Sequence, residues 1–347
     1  MAMLQGLILL ILFLLTIFTE VIGETKDKRQ VRPLVTCLSD EAMKEYYERN
    51  PNALKEHQQF EISTKQFIST AQTFEPYVIP VVFHVYGTDF SGKQVNEDII
   101  RTALDKVNED FHGLNSDYST VDPAFLGIRS TFDVTFKLAR KDPNGNPTNG
   151  IVEYPAKNGY ATRGHNREIQ AEAWDNYKYC NVYIQADIHQ TGVLTESGHA
   201  YLPDTAMSDN NLARIVYNGA YLYGNTNPEI ASILTHEFGH WLNLVHTFDK
   251  GCVKSREDKC ETTGDQVCDT PQTTQNNDCT PVNNCAGQPV NIENYMDYSG
   301  AAGCYKMFTV GQVARMNAAM QHPARQPLWQ FDNLIVTGVA EEQLPLK

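Results

Sequence analysis

The chain has 347 residues, 41% of them apolar and 20% charged, enough for a sizeable core in one large domain or two small ones. Its formal charge of −14 excludes a phosphate-reading surface, which needs a basic excess, so no nucleic-acid partner is expected.

The first element is the charge-free apolar run LQGLILLILFLLTIF, Leu4 to Phe18, followed by the small residue Gly23. It is short for a membrane span, which needs about 20 apolar residues. It reads as a cleaved signal peptide over residues 1–23, and an uncleaved anchor is the alternative. Secretion follows from the first reading, with no stable membrane insertion after cleavage. Residues 24–75 are polar and poor in core material and read as a pro-segment, with an appended arm as the alternative. Within it Asp40 to Arg49 reads as a helix, with Ser39 or Asp40 as cap and Asn50-Pro51 as stop.

YVIPVVFHVYG, from Tyr77, is the first strong strand. An amphipathic helix follows, capped by Asn96, with Ile99, Ile100, Ala103, Leu104 and Val107 on one face. Phe132 to Ala139 alternates like a half-buried strand. In the DPNGNPTNG cluster after it, Asp142, Asn144, Asn146 and Glu153 sit at calcium-loop positions, but Pro147 stands where that loop needs glycine. A plain turn is the reading. Asn181 to Asp187 is a buried-strand candidate, Pro228 to Val245 a long helix, and Val310 onward a last helix. Between these two helices, Asp249 to Pro289 has no period at all.

The long helix carries HEFGHWLNLVH, residues 236–246. Residues four apart lie on one helical face about 6 Å apart along the axis, so His236 and His240 can face one metal ion. Glu237 stands beside them, where it can take a proton from a zinc-activated water. On a continuing helix His246 would lie about 9 Å beyond His240 and be rotated about 120° away. To become the third ligand it needs the chain to leave the helix through a left-handed residue. Glycine is preferred there and Asn243 is the next most tolerant choice. The two-histidine pattern alone also occurs on metal-free surface helices; the third histidine at this spacing favours a metal.

From these residues outward the sequence resembles the metzincin metalloproteases, and among them the pappalysin family. The likeness includes HEFGHWLNLVHTF, NYMDYS at Asn294 to Ser299, ARKDPNGNPTNGI, NEDF, GDQVCDTP and FTVGQVARM, in family order over residues 77 to 338. It implies an α+β, metzincin-like catalytic domain over residues 76–347. A twisted mixed β-sheet with two long helices would lie above the cleft, and an irregular, disulfide-tied lower subdomain with a Met-turn and C-terminal helix below it. It also implies zinc on His236, His240 and His246, Met296 as the hydrophobic base under the ion, and Tyr298 as a phenol stabilising the oxyanion.

Six of the eight cysteines fall between Cys252 and Cys304. The likeness pairs Cys252 with Cys285 and Cys279 with Cys304, leaving Cys260 and Cys268 as a local bridge. It makes Cys37 a switch whose thiolate fills the fourth zinc position in a latent precursor. Leu38 follows where the family tends to have glycine, and a Cys37–Cys180 bridge or an idle thiol are the alternatives. Cys180 itself opens a buried strand and reads as a small core residue. Asp265, Asp269 and Thr270 stand where relatives bind a structural calcium ion. Relatives that cleave beside basic residues carry acids after the Met-turn, whereas this chain has SGAAG at residues 299–303. That implies apolar or broad selection.

The reading is a secreted zinc endopeptidase acting on protein or peptide substrates. The alternative is a secreted zinc-binding protein that acts by binding partners without catalysis.

Overall fold

The computed structural model describes residues 36–68, 75–157, 166–188, 192–254 and 260–340. The expected leader, residues 1–23, and the pro-segment up to residue 35 lie outside the described residues. No helix among the described residues is long and apolar enough to cross a membrane.

The core is a seven-stranded mixed sheet. Its strands are β1 (Thr36–Cys37), β2 (Tyr77–Tyr86), β3 (Val134–Leu138), β4 (Ile151–Tyr154), β5 (Cys180–Gln185), β6 (Glu196–Ala200) and β7 (Ile215–Asn218). The order is β1-β6-β7-β5-β2-β3, with β4 joining β2 beyond β3. β2 is central and buried at all ten positions, as a strand covered on both faces must be. Its odd residues, Tyr77, Ile79, Val81, Phe83 and Val85, enter the main core. Its even residues serve separate clusters on the other face: Val78 with Leu334, Val82 with Tyr179, and Tyr86 with Tyr183. β6 is the antiparallel strand, pairing β7, and β1 runs parallel to β6 on its outer side.

Helix α3 (Glu97–Phe111) covers the sheet through Ile100, Ala103, Leu104, Val107 and Phe111. The Asn96 side chain caps it by accepting from Ile99 N at 3.0 Å. The expected long helix from Pro228 to Val245 is instead two shorter ones, α4 (Pro228–Ala231) and α5 (Ile233–Trp241). Ser232 between them departs to ψ −2°, and the second stops four residues early because of the turn described below. The C-terminal helix α6 (Val310–Met320) begins with a capping box between Thr309 and Gln312. A short helix, α7 (Phe331–Val336), ends the fold.

The N-terminal arm is more ordered than its composition suggests. Ser39–Arg49 forms helix α1 without a side-chain cap, and Pro51, expected as a stop, opens the eighteen-residue helix α2 (Pro51–Ile68). Proline serves at a first helical position because its missing N–H has no partner to lose. The Asp142 turn is a plain one: Asp142 Oδ1 accepts from the backbone of Asn144 and Asn146 at 2.9 and 2.8 Å. In the lower region, disulfides join Cys252 to Cys285, Cys260 to Cys268 and Cys279 to Cys304, while Cys37 and Cys180 are free and buried.

Candidate active site

Helix α5 places His236 and His240 one turn apart, both fully buried. Asn243 then takes φ +69°, the left-handed conformation, and the helix closes with Leu244 N bonding Gly239 O at 2.9 Å. The reversal brings His246 back to the other two. His240 Nε2 lies 3.0 Å from His236 Nε2 and 3.2 Å from His246 Nε2, and the third pair is also 3.2 Å apart.

The contact between His236 and His240 is not a hydrogen bond. His236 Nδ1 donates to Tyr295 O at 2.6 Å and His240 Nδ1 to Leu244 O at 2.8 Å; a carbonyl can only accept, so each ring's proton is on Nδ1. His246 Nδ1 donates to Asp40 Oδ2 at 2.7 Å. Burial holds the His236 imidazolium down to about 3 and His240 well below its ordinary value, so both rings are neutral. The bare Nε2 lone pairs of His236 and His240 therefore face each other, with His246 Nε2 at the same point, an arrangement suited to a cation between them. Cys37 Sγ approaches the same point, 3.5 Å from His240 Nε2, and these four ligand atoms lie within 4.8 Å of one another. A set of imidazole nitrogens and one sulfur suits zinc.

The arm also meets Glu237 and Tyr298 beside that point. Glu237, fully buried, has Oε2 3.5 Å from Cys37 Sγ and 3.3 Å from Ser39 Oγ, which donates to it. Burial pushes its carboxyl up to about 8, against the lowering pull of the Cys37 and Ser39 hydrogen bonds. Tyr298 Oη donates to Cys37 O at 2.7 Å, and Leu38 N donates to Gly198 O on β6 at 3.0 Å. Leu38 sits at φ −118°, where any L-residue is at ease, so glycine is not needed at this position.

Beneath the helix, Met296 is fully buried and its Sδ fills the space a Cβ on Gly239 would take, 2.5 Å away. The turn is drawn tight by Asn294 Oδ1, which accepts from Met296 N at 2.9 Å. Thr247 N donates to Met296 O at 3.1 Å, tying the turn to the chain just past His246. Asp265 and Asp269 lie away from the histidines, against the start of α6. Asp265 accepts from Gln312 at 3.1 Å, and Asp269 accepts from Thr309 Oγ1 and Gly311 N, each at 2.7 Å. Thr270 Oγ1 is 3.4 Å from Thr309 Oγ1. In residues 299–303, Ser299–Ala302 forms a 3₁₀ turn whose Gly300 is pressed against the Tyr305 ring.

Sequence reasoning missed Ser39 and Asp40 as partners of the site. It also missed Tyr305, whose ring stacks on His236 at 6.0 Å and 8°. Only the proximity of Ser39 and Asp40 to Cys37 could have raised them; for Tyr305 no local signal existed.

A twisted mixed sheet over a histidine helix, a left-handed exit and a methionine turn together define a metzincin fold. Within that class, residues 163–321 match the family model Peptidase_M43, described as pregnancy-associated plasma protein-A. It is 35% identical over 153 residues to an extracellular metalloprotease of Verticillium alfalfae, covering 41% of this chain and 49% of that relative. An extracellular metalloprotease of Podospora anserina is 31% identical over 216 residues, 59% of this chain and 64% of the relative. The chain thus spans about half the length of most of these curated relatives. Among solved structures, a promirolysin mutant of Tannerella forsythia is similar with TM-score 0.68 and 26% identity, covering 86% of this chain and 97% of that one. Mature mirolysin from the same organism, in complex with a cleaved peptide, is similar with TM-score 0.60 and 26% identity, covering 76% and 99%.

Proposed function

We propose that the protein is a secreted zinc endopeptidase, made as a latent precursor, that hydrolyses peptide bonds of proteins. The observation that carries this is the convergence of three histidine Nε2 atoms beside the buried carboxyl of Glu237. His236, His240 and His246 would hold the ion. Bound zinc supplies a Lewis acid and makes water a nucleophile near neutral pH. Glu237 accepts the proton of the attacking water and hands it to the leaving amine. Tyr298, whose hydroxyl already holds the carbonyl of Cys37, donates the same kind of bond to the developing oxyanion. Strand β6 offers the Gly198 carbonyl, now bonded to Leu38, to the backbone of an extended substrate.

In this proposal residues 1–23 are the leader, 24–75 the latency segment and 76–347 the catalytic domain. Cys37 fills the fourth ligand position while Ser39, Leu38 and the Cys37 carbonyl occupy the groups that substrate would use. Asp265, Asp269 and Thr270 are assigned a calcium ion, whose preference for oxygen they meet. With no acid in residues 299–303, substrate selection is apolar or broad. The extracellular names of the curated relatives support secretion.

The test is hydrolysis of denatured casein by the processed protein, with and without a chelator, alongside Glu237→Ala. Chelator-sensitive cleavage is expected, and the variant should keep zinc while losing at least about two decades of rate. Zinc binding without any cleavage would return the chain to the class of binding proteins.

A further inference from the structure

Asn243 raises a question that its backbone does not answer. Glycine would supply φ +69° without the cost a Cβ brings there, so the asparagine side chain needs its own account. It is fully buried, and its Nδ2 donates to Glu61 Oε1 at 3.0 Å, on helix α2 of the arm. The same oxygen accepts from Arg315 Nη2 of helix α6 at 2.7 Å, and Arg315 Nε donates to Asn243 O at 2.6 Å. The three residues form a closed triangle, with Arg315 and Glu61 side chains only 5% and 18% exposed. Glu61 is the carboxylate paired with Arg315, and it belongs to the arm. Other arm contacts lie on the same face: Glu56 accepts from Thr205, and the Phe60 ring meets His322 at 4.5 Å.

We propose that Glu61, seated between the Asn243 amide and the Arg315 guanidinium, is a second anchor of the arm, independent of the Cys37 thiol. It binds the turn that delivers His246, so the arm grips the site from behind as well as through the cleft. The cost of an asparagine in the left-handed region is offset by a bond that exists only while the arm is docked. This rests on reading residues 36–68 as a latency segment and adds to that reading how the segment is retained.

The test uses the full-length, zinc-loaded chain and the rate at which a thiol reagent alkylates Cys37, located by mass spectrometry to distinguish it from Cys180. Cys37 is 3% exposed, so labelling requires the arm to lift. Glu61→Ala should raise the rate at least about 10-fold, the scale of one lost charged hydrogen bond. Lys65→Gln, exposed one turn further along α2, should leave it unchanged. Asn243→Gly should raise it less, and the double variant Glu61→Ala/Asn243→Gly should fall short of the product of the two, because the substitutions remove one shared contact. Labelling of Glu61→Ala at the wild-type rate, or two effects that multiply fully, would overturn the anchor. Labelling needs no hydrolysis, so accelerated alkylation in a chain that never cleaves casein would refute the protease and leave the anchor standing.

Discussion

Asp40 Oδ2 accepts the Nδ1 proton of His246 at 2.7 Å, so the outer partner of this histidine belongs to the N-terminal arm. The other two histidines are oriented by backbone carbonyls of the domain itself, those of Tyr295 and Leu244. Such partners fix the ring and raise the basicity of the metal-facing nitrogen, and losing one costs about 10- to 100-fold in metal affinity. Asp40→Ala in the full-length chain should therefore weaken zinc by about that factor. The same substitution should have no effect once the arm is gone. Competition with a chromogenic chelator measures both, and equal zinc affinity in full-length wild type and variant would remove Asp40 from this role.

Tyr298 is held by the arm through Cys37 O at 2.7 Å, and its ring packs edge-on against His246 with centroids 4.7 Å apart. Tyr298→Phe keeps the ring packing and removes the hydroxyl. If that hydroxyl serves the oxyanion, kcat for a peptide substrate should fall about 100- to 1,000-fold with KM little changed. Steady-state kinetics on the processed enzyme separate this from a binding role, in which KM would carry the loss.

Gly239 lies between the two helix histidines, over Met296. Alanine there would gain about 1 kcal/mol in helix propensity. The added Cβ would stand 2.5 Å from Met296 Sδ, in a core where that methionine is fully buried, and overpacking of this kind costs about 1–3 kcal/mol. The second effect is the larger, so Gly239→Ala should lower stability by about 1 kcal/mol. A denaturant titration of the zinc-free protein decides it; a stabilised variant would mean that the methionine turn yields easily.

Much of this was legible in the sequence for a physical reason. Helical spacing is itself the geometry of His236 and His240, and the need for a left-handed residue at Asn243 follows from where His246 must go. β2 and α3 were legible because a buried strand and an amphipathic helix leave local periods. Helix α2 left none: only Ala53 and Thr64 are buried on it, and Glu61 and Glu56 hold it to residues far along the chain. Strand β6, ESGHA, has too little apolar alternation to stand out, yet its Gly198 carbonyl seats Leu38. The expected helix to Val245 was too long because period alone does not show where the chain turns. The Asn243 side chain's own partner could not be foreseen, since nothing in the sequence brings residue 61 to residue 243.

His84, on the far face of β2, is fully buried and bonded at both ring nitrogens. Asn181 uses its amide nitrogen on the carbonyls of Trp174 and Tyr179, so its Oδ1 accepts, and His84 Nε2 donates to it at 2.9 Å. Nδ1 then accepts from Tyr154 Oη at 3.1 Å. This network fits the neutral ring, and burial holds the imidazolium down to about 4 against the pull of the Asn181 bond. In the unfolded chain the same ring protonates near 6.5. Between those values the unfolded state binds the extra proton, so stability rises with pH through the window and is lost as pH falls from about 6.5 to 4. The full effect is on the order of 3 kcal/mol. His84→Gln removes the titration, and its stability should fall less steeply than wild type's over that interval, whatever its value at pH 7. Urea midpoints measured across the window test this directly, and parallel pH slopes for the two proteins would place the proton elsewhere.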